Sequence, residues 1–382
     1  MRRRFSLLIL ACLFPAFAAQ AMSRDGNLGL LASKLRAAAR APVNVVQLGD
    51  SHTAADLFTG ELRRLLQKDY GDGGIGLVTA TPVPGTRYEQ VLLKAAEAQW
   101  TRVSARNQQS GQFPLGGYLA LPQVEKASVR LEARQPDEQR YRVSALYQAQ
   151  QNASLDARDR QNPDRRLLLA ATAGQWRFSP LLNNVQLPLE LSVAGAPGLA
   201  LGGWYVQGQK NAGVTLSALG INGAQLTVTD KWQAGWQETL KSLRPDLLIL
   251  AYGTNEAFDP GFDLAQYREH LGRIVGVLRR QLPRAVIVLA GPPDSIRQRH
   301  AQGCAARVPA VLTDIVDAQR EVAKANGALF WDWQGFMGGP CSIEQWQAGG
   351  LAQGDLIHLT AEGYRRSAGG LYGFLRKQLG LR

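Results

Sequence analysis

The sequence predicts an α/β protein, a three-layer sandwich around a mostly parallel sheet, which an all-β unit interrupts. Two segments, residues 22–92 and 213–382, alternate apolar runs with helical periodicity, as parallel sheets covered on both faces require. Between them, residues 93–212 show period-two alternation and turn residues, which indicates a β-sandwich or jelly roll. Because residues 22–92 are too few to bury such a core alone, we expect both segments to form one domain.

The first 21 residues have the pattern of a secretory signal peptide. Three arginines precede a short apolar stretch, and Ala19-Gln20-Ala21 supplies an A-x-A cleavage site. The stretch is shorter than the about 20 residues of a membrane span, so we expect no transmembrane segment in the mature chain. The alternative is a lipoprotein signal ending at Cys12, whose apolar stretch would be very short. We therefore expect a periplasmic protein.

The formal net charge of +12 favours anionic surroundings such as cell-wall polymers, and a basic surface without a specific partner is the alternative. Lysine and arginine are scattered without a basic tract, so we do not expect nucleic acid as a partner. No Cys/His cluster has zinc spacing, and we expect neither a metal nor a cofactor. In an oxidising compartment Cys304 and Cys341 can pair, and two free thiols are the alternative. The oligomeric state does not follow from the sequence.

The first α/β segment ends a strand in a short polar motif. The apolar run Val45–Leu48 leads into Gly49-Asp50-Ser51, so the chain leaves the sheet edge at the serine. A helix with 3.6-residue periodicity is predicted over Leu57–Tyr70, and Gly71 ends it.

The middle segment carries the β pattern. Pro188 lies inside the predicted strand Leu187–Val193 and indicates an edge strand, while the polar residues 148–166 indicate a loop. Five aromatic side chains could stack on sugars, although a position in the sandwich core is favoured. They are Trp100, Tyr118, Trp176, Trp204 and Tyr205.

The third segment returns to alternating strands and helices. Strands are predicted at Leu247–Ala251, Ala285–Ala290 and Ala328–Trp331, with helices over about 264–282, 308–326 and 361–379.

Ser51 is the candidate nucleophile, and it requires a base. His52 is adjacent, but neighbouring side chains on an extended segment diverge, so a structural role is predicted for it. Asp355 and His358 are three residues apart, so that one loop can carry both. Asp355 can fix the imidazole tautomer and His358 can take the serine proton. Alone, Asp-x-x-His is also the pattern of an ordinary solvated loop.

Two loops could stabilise an oxyanion. Asn255 follows the strand Leu247–Ala251, at the sheet edge where α/β sites lie. Gly220 and Gly223 lie in a second candidate loop, where glycine lets backbone N–H groups approach a substrate. An ordinary turn is the alternative for each loop.

These elements, in this order, resemble the SGNH (GDSL-type) hydrolase superfamily. Its blocks are matched by Gly49-Asp50-Ser51, Gly220-x-x-Gly223, Gly253-x-Asn255-Glu256 and Asp355-x-x-His358. The resemblance implies that Ser51, Asp355 and His358 form a catalytic triad. It also implies an oxyanion hole made by the Ser51 N–H, Gly223 and Asn255, with Gly220 as the alternative to Gly223.

The chain also resembles periplasmic peptidoglycan O-acetylesterases, in Gly49–Asp56, Gly71–Gly76 and Phe330–Trp333. In that family a carbohydrate-binding-module-like β-domain interrupts the SGNH domain, as residues 93–212 do here. The resemblance implies a serine esterase that removes acetyl groups from the C6 hydroxyl of N-acetylmuramoyl residues in peptidoglycan, through an acetyl-enzyme intermediate.

Three other functions stay open at this point. The chain could deacetylate another polysaccharide or hydrolyse small esters. It could bind glycan with a vestigial site, although the intact Ser51, Asn255, Asp355 and His358 argue against that. It could also be an O-acetyltransferase, since access of water to the acyl-enzyme decides between hydrolysis and transfer.

Overall fold

The computed structural model describes residues 25–109, 112–194 and 198–381. The predicted signal peptide and Cys12 lie outside the described residues. The strands, numbered in chain order, are β1 Pro42–Gly49, β2 Gly74–Val78, β3 Val91–Lys94, β4 Trp100–Ser104, β5 Tyr118–Pro122, β6 Ser128–Ala133, β7 Tyr141–Ala149, β8 Ala153–Arg158, β9 Arg165–Leu169, β10 Arg177–Phe178, β11 Leu182–Val185, β12 Leu189–Val193, β13 Leu199–Gly208, β14 Gly213–Gly220, β15 Leu247–Ala251, β16 Val286–Ala290 and β17 Leu329–Trp331.

The helices surround the parallel strands. They are α1 Leu28–Arg36, α2 Ser51–Ala54, α3 Leu57–Tyr70, α4 Trp236–Ser242, α5 Thr254–Ala257, α6 Leu264–Gln281, α7 Cys304–Arg307, α8 Leu312–Ala325, α9 Trp333–Met337, α10 Ser342–Ala348 and α11 Ala361–Leu379, with short 3-10 turns at Glu97–Gln99 and Leu226–Lys231.

The central sheet is parallel throughout, in the order β14-β1-β15-β16-β17. Side chains of β1 alternate between two cores. Val43 and Val45 pack with α1, α3 and α11, whereas Val46 and Leu48 pack with α4, α6 and α8. Because helices cover both faces, the strands are apolar on both sides, and the predicted α/β sandwich is confirmed.

The interrupting unit consists of two antiparallel sheets with a common core. One has the order β10-β7-β13-β5-β4, with β11 also paired to β7 and β2 to β13, and the other has the order β3-β6-β12-β8-β9. The all-β character is therefore confirmed. The strands β2 and β3 begin before residue 93, so the antiparallel region starts earlier than the sequence pattern shows. The two glycines of β2, Gly74 and Gly76, have no side chain, so the sequence of this strand does not show an alternation of apolar and polar residues.

Two local predictions for this unit are wrong. The strand after Pro188 is central, between β6 and β8, because β12 begins at Leu189 and the missing proline N–H falls outside the ladder. The polar residues 148–166 contain β8, in which Leu155 and Ala157 are the buried positions of an otherwise polar strand. All five aromatic side chains are buried, and the predicted position in the sandwich core is confirmed for Trp100 and Trp204. Tyr118, Trp176 and Tyr205 instead pack in the core that contains Val46 and Leu48 of β1, so that prediction is wrong for them.

A disulfide joins Cys304, at the start of α7, to Cys341, before α10. Beside it, the Arg307 guanidinium donates two hydrogen bonds to the Glu344 carboxylate, at 2.9 and 2.6 Å. The two contacts attach residues 304–307 to α10.

A buried ion pair between Asp56 and Arg63 attaches α3 to the central sheet at β14. The guanidinium of Arg63 donates to both carboxylate oxygens of Asp56, at 3.0 and 2.9 Å, and its Nε donates to the Leu216 carbonyl at 3.1 Å. Both side chains are almost fully excluded from water. Asp56 also accepts from the Glu89 N–H, so one carboxylate connects α3 with the segment before β3, while Arg63 reaches β14.

We predict that Arg63→Met lowers the free energy of unfolding by about 3–5 kcal/mol, because it leaves the Asp56 charge buried without a partner. The matched control is Arg64→Met, whose exposed ion pair with Glu61 lies on the same helix and is expected to contribute less than about 1 kcal/mol. Urea unfolding followed by tryptophan fluorescence measures both. Equal losses in the two variants would contradict this account of the pair.

Candidate active site

The carboxyl ends of β14, β1 and β15 lie side by side, where Gly49 pairs with Gly220 and with Ala251. The backbones approach so closely that a Cβ on Gly49 would lie 2.2 Å from the Thr53 Oγ1. A Cβ on Gly220 would lie 2.2 Å from the Ala54 nitrogen. Only glycine therefore lets α2 lie directly on the strand ends.

Ser51 is the first residue of α2, and Asp50 caps that helix by accepting a hydrogen bond from the His52 N–H at 2.9 Å. Asp50 is buried. Its burial, opposed by the hydrogen bond from the His52 N–H and assisted by the nearby Glu256 carboxylate, raises the pKa of Asp50 to about 8. Asp50 therefore orients the turn that carries Ser51, and its side chain lies buried beneath that turn.

Ser51, His358 and Asp355 form a continuous hydrogen-bonded chain. The Ser51 Oγ lies 3.0 Å from the His358 Nε2, and the His358 Nδ1 lies 2.7 Å from the Asp355 Oδ2. The other Asp355 oxygen accepts from the N–H groups of Ile357 and His358, at 3.0 and 2.9 Å. This arrangement can transfer the serine proton to His358 while Asp355 holds the imidazole in one tautomer.

Asp355 is charged at neutral pH. Partial burial acts to raise its pKa, but the hydrogen bonds from the His358 side chain and from the backbone N–H groups of His358 and Ile357 outweigh it, and the pKa is lowered. About two fifths of the Asp355 side chain and a third of the His358 side chain remain exposed, at 40% and 36%. The base is thus reachable by water.

The loop that carries Asp355 and His358 is held in a strained conformation. Leu356 has φ +58°, in the left-handed region that costs a side-chain-bearing residue free energy. Its carbonyl accepts from the Ile296 N–H at 3.0 Å, and the Asp355 carbonyl accepts from Arg299 at 2.8 Å. These contacts from the segment after β16 fix the position of the loop.

His52 hydrogen-bonds Tyr364, not Ser51, with 2.8 Å between its Nδ1 and the Tyr364 hydroxyl. Its ring lies 5.3 Å from that of His358 and 5.5 Å from that of Trp333, between ring centroids. Burial, and then the positive charge that His358 can carry, lower the pKa of His52 to about 3. A neutral ring beside His358 does not oppose protonation of His358.

The two candidate oxyanion loops contact one another. The Asn255 Nδ2 donates to the Ala224 carbonyl at 2.8 Å, and Gly223 adopts φ +70°, which favours glycine. The buried Glu256 carboxylate accepts from the N–H groups of Gly253 and Leu226, at 3.0 and 2.7 Å. Its pKa is raised to about 7 by burial, against those hydrogen bonds. Glu256 therefore fixes both loops at the sheet edge.

Sequence reasoning missed the second layer of the site. Tyr364 and Trp333 hold His52, and Trp333 stacks on Phe58 with 4.7 Å between ring centroids. Trp333 belongs to the Phe330–Trp333 motif of the family resemblance, but no local pattern places it or Tyr364 against His52, because these contacts join positions about 300 residues apart in the chain. Among the residues that the structure describes, no group of three or more His, Cys, Asp or Glu side chains could hold a metal ion.

Comparison with known proteins decides the family. The chain is 35% identical to a solved structure named "Peptidoglycan O-acetylesterase in action, 5 min", with a TM-score of 0.81 over 92% of this chain and 96% of that chain. The chain belongs to the peptidoglycan O-acetylesterase family. Residues 73–190 match the family described as "Peptidoglycan O-acetylesterase, N-terminal", and residues 193–366 match the "GDSL-like Lipase/Acylhydrolase family".

Other solved structures are more distant from this peptidoglycan O-acetylesterase family member. A lipase/acylhydrolase from Enterococcus faecalis is 19% identical, with a TM-score of 0.32 over 44% of this chain and 77% of that chain. An active site mutant of a family two carbohydrate esterase from Clostridium thermocellum is 11% identical, with a TM-score of 0.30 over 76% and 99%. No curated protein matches the sequence.

The family assignment makes the protein an esterase of the SGNH type and confirms the resemblance read from the sequence. The family match also agrees with an extracytoplasmic location, since peptidoglycan lies outside the cytoplasmic membrane. Across residues 25–109, 112–194 and 198–381, no helix is long and apolar enough to cross a membrane.

We predict that Asp355→Asn lowers kcat for p-nitrophenyl acetate by about 10³–10⁴-fold, because an amide neither fixes the reactive imidazole tautomer nor stabilises the imidazolium. The matched control is Glu362→Gln on α11, an exposed carboxylate paired with Arg365 close to His358 in the chain. Steady-state kinetics distinguish the two. A fall of about ten-fold or less in Asp355→Asn would show that His358 does not depend on this carboxylate.

Proposed function

We propose that the protein removes O-acetyl groups from the C6 hydroxyl of N-acetylmuramoyl residues in peptidoglycan, through an acetyl-enzyme intermediate. Family membership supports the substrate class, since the similar solved structure is named as a peptidoglycan O-acetylesterase over nearly its whole length. The single observation that carries the chemistry is the hydrogen-bonded chain from the Ser51 Oγ through His358 to Asp355.

In the first half-reaction, the Ser51 Oγ attacks the acetyl carbonyl while His358 Nε2 takes the serine proton. The tetrahedral oxyanion is held by the Ser51 N–H, the Gly223 N–H and the Asn255 side-chain amide. Collapse of this intermediate breaks the bond to the sugar C6 oxygen, which receives the proton from His358. The sugar leaves with a free hydroxyl, and Ser51 carries the acetyl group.

In the second half-reaction, His358 takes a proton from water, which attacks the acetyl-Ser51 carbonyl. Collapse of the tetrahedral intermediate breaks the bond between the acetyl carbon and the Ser51 Oγ, which takes the proton back from His358 as acetate leaves. The partial exposure of His358 and Asp355 supports water as the acceptor, because the base is open to solvent. That exposure favours hydrolysis over transfer to a second sugar. The intact hydrogen-bonded triad likewise disfavours a glycan-binding protein with a vestigial site.

A periplasmic location agrees with this substrate. The A-x-A pattern that ends at Ala21 supports export, and the disulfide between Cys304 and Cys341 suits an oxidising compartment. In this proposal, residues 22–92 and 213–382 form the hydrolase domain, and residues 93–212 form an insert resembling a carbohydrate-binding module, whose sheets are extended by β2 and β3 from the preceding segment.

We predict that the purified enzyme releases acetate from O-acetylated peptidoglycan and that Ser51→Ala abolishes the release, because no other hydroxyl lies within hydrogen-bond distance of the His358 Nε2 in the described structure. The matched control is Ser192→Ala, on the insert strand β12. Acetylated xylan and p-nitrophenyl acetate are assayed alongside. Ser51-dependent activity on the small ester or on xylan alone would contradict the peptidoglycan assignment and leave the triad standing.

A further inference from the structure

An open cavity of about 410 Å³ lies where the β-insert meets the loop that carries Gly223. Its walls are the segment after β2, the strands β4 and β5, and Asn222, the residue before Gly223. No residue of the proposed triad lines it. The cavity is therefore a neighbour of the reaction centre and not part of it.

The walls of the cavity touch the catalytic elements directly. The Arg106 guanidinium packs against Gly223, so closely that a Cβ on Gly223 would lie 2.6 Å from the Arg106 Cζ. The Arg87 N–H donates to the Ala54 carbonyl of α2 at 3.2 Å, which joins the segment after β2 to the helix of Ser51. The cavity therefore adjoins two elements of the candidate site, the loop that carries Gly223 and the helix that carries Ser51.

The lining of the cavity is positively charged. Arg102 and Arg106 contribute to it, and none of the described lining residues is acidic. Within the residues that the structure describes, Arg106 takes part in no ion pair. Arg102 reaches the exposed Glu97 at 3.2 Å, but its buried Nε has no hydrogen-bond partner. The Arg106 guanidinium, exposed and without an ion-pair partner among the described residues, can therefore donate two parallel hydrogen bonds to a carboxylate, whereas the Arg102 Nε is too buried for a ligand to reach.

We propose that this cavity is a subsite for an acidic substituent of the acetylated sugar, with Arg106 as its principal counter-charge. The inference rests on the proposed function. An N-acetylmuramoyl residue carries its acidic lactyl-peptide group on the same ring as the C6 acetyl group. One sugar can thus place the ester at Ser51 and the acid against Arg106, whereas xylan and chitin sugars offer no carboxylate to this cavity.

The test compares two acetylated substrates that differ in the acidic group. One is an O-acetylated muroglycan fragment, and the other is a 6-O-acetylated chito-oligosaccharide, which has the same kind of backbone without the lactyl group. The readout is the ratio of kcat/KM for the acidic substrate to kcat/KM for the neutral one. Because both substrates are measured on the same enzyme preparation, partial misfolding of a variant cancels from the ratio.

Arg106→Gln is expected to lower this ratio about ten-fold, the effect of one lost charge-assisted hydrogen bond. Arg106→Lys is expected to retain part of the ratio, since the charge remains while the two-pronged geometry is lost. The ratio for the wild type should fall as salt is added. The matched control is Arg166→Gln, an exposed arginine on β9 paired with Asp156, which is expected to keep the ratio.

Two results would overturn the subsite while leaving the esterase standing. An unchanged ratio in Arg106→Gln would show that the guanidinium does not contact the acidic group. Equal losses on both substrates would show that Arg106 acts on the common acetyl carbonyl or merely supports Gly223. Failure of the wild type to act on the muroglycan would instead refute the proposed function, and the subsite with it.

Discussion

The site depends on the absence of side chains at the ends of two neighbouring parallel strands. At Gly49 and Gly220 the backbone lies against α2, and a single added carbon would lie 2.2 Å from the Thr53 Oγ1 and from the Ala54 nitrogen, respectively, far inside van der Waals contact. This close approach brings the first turn of α2 directly onto the sheet edge, with Ser51 at its start. The register of β1 with β14 aligns these strand ends, and the buried pair of Asp56 and Arg63 attaches the next helix, α3, to β14.

The ionisable groups near Ser51 differ in whether their surroundings favour the neutral or the charged form. Asp50, Glu256 and His52 are buried, and burial favours the neutral form of each, so that they orient backbone and rings without competing as bases. Asp355 is partly exposed and receives hydrogen bonds that favour its charged form. Among the ionisable groups near Ser51 in the described structure, only His358 both hydrogen-bonds the Ser51 hydroxyl and has a charged partner, Asp355.

Local patterns predicted much of this molecule. The apolar runs and helical periods of the α/β segments correspond closely to β1, β15, α3 and α11, because each element buries a regular stripe. The strands of the β-insert were harder to predict from the sequence. The strand β2 is rich in glycine, β8 is mostly polar, and Pro188 lies just before the first residue of β12. The blocks around Ser51, Asn255 and His358 could be named from the sequence. The contacts of Arg106 with Gly223 and of Tyr364 with His52 could not, because they depend on tertiary packing.

The most direct test of this account is the covalent intermediate. The enzyme is mixed with O-acetylated muroglycan, quenched with acid during turnover, digested and examined by peptide mass spectrometry. The account predicts one acetyl group on Ser51, formed at a rate at least equal to turnover and absent from Ser51→Ala. An acetyl group on another side chain, or continuing acetate release from enzyme that carries no acetyl group at any time after mixing, would contradict it.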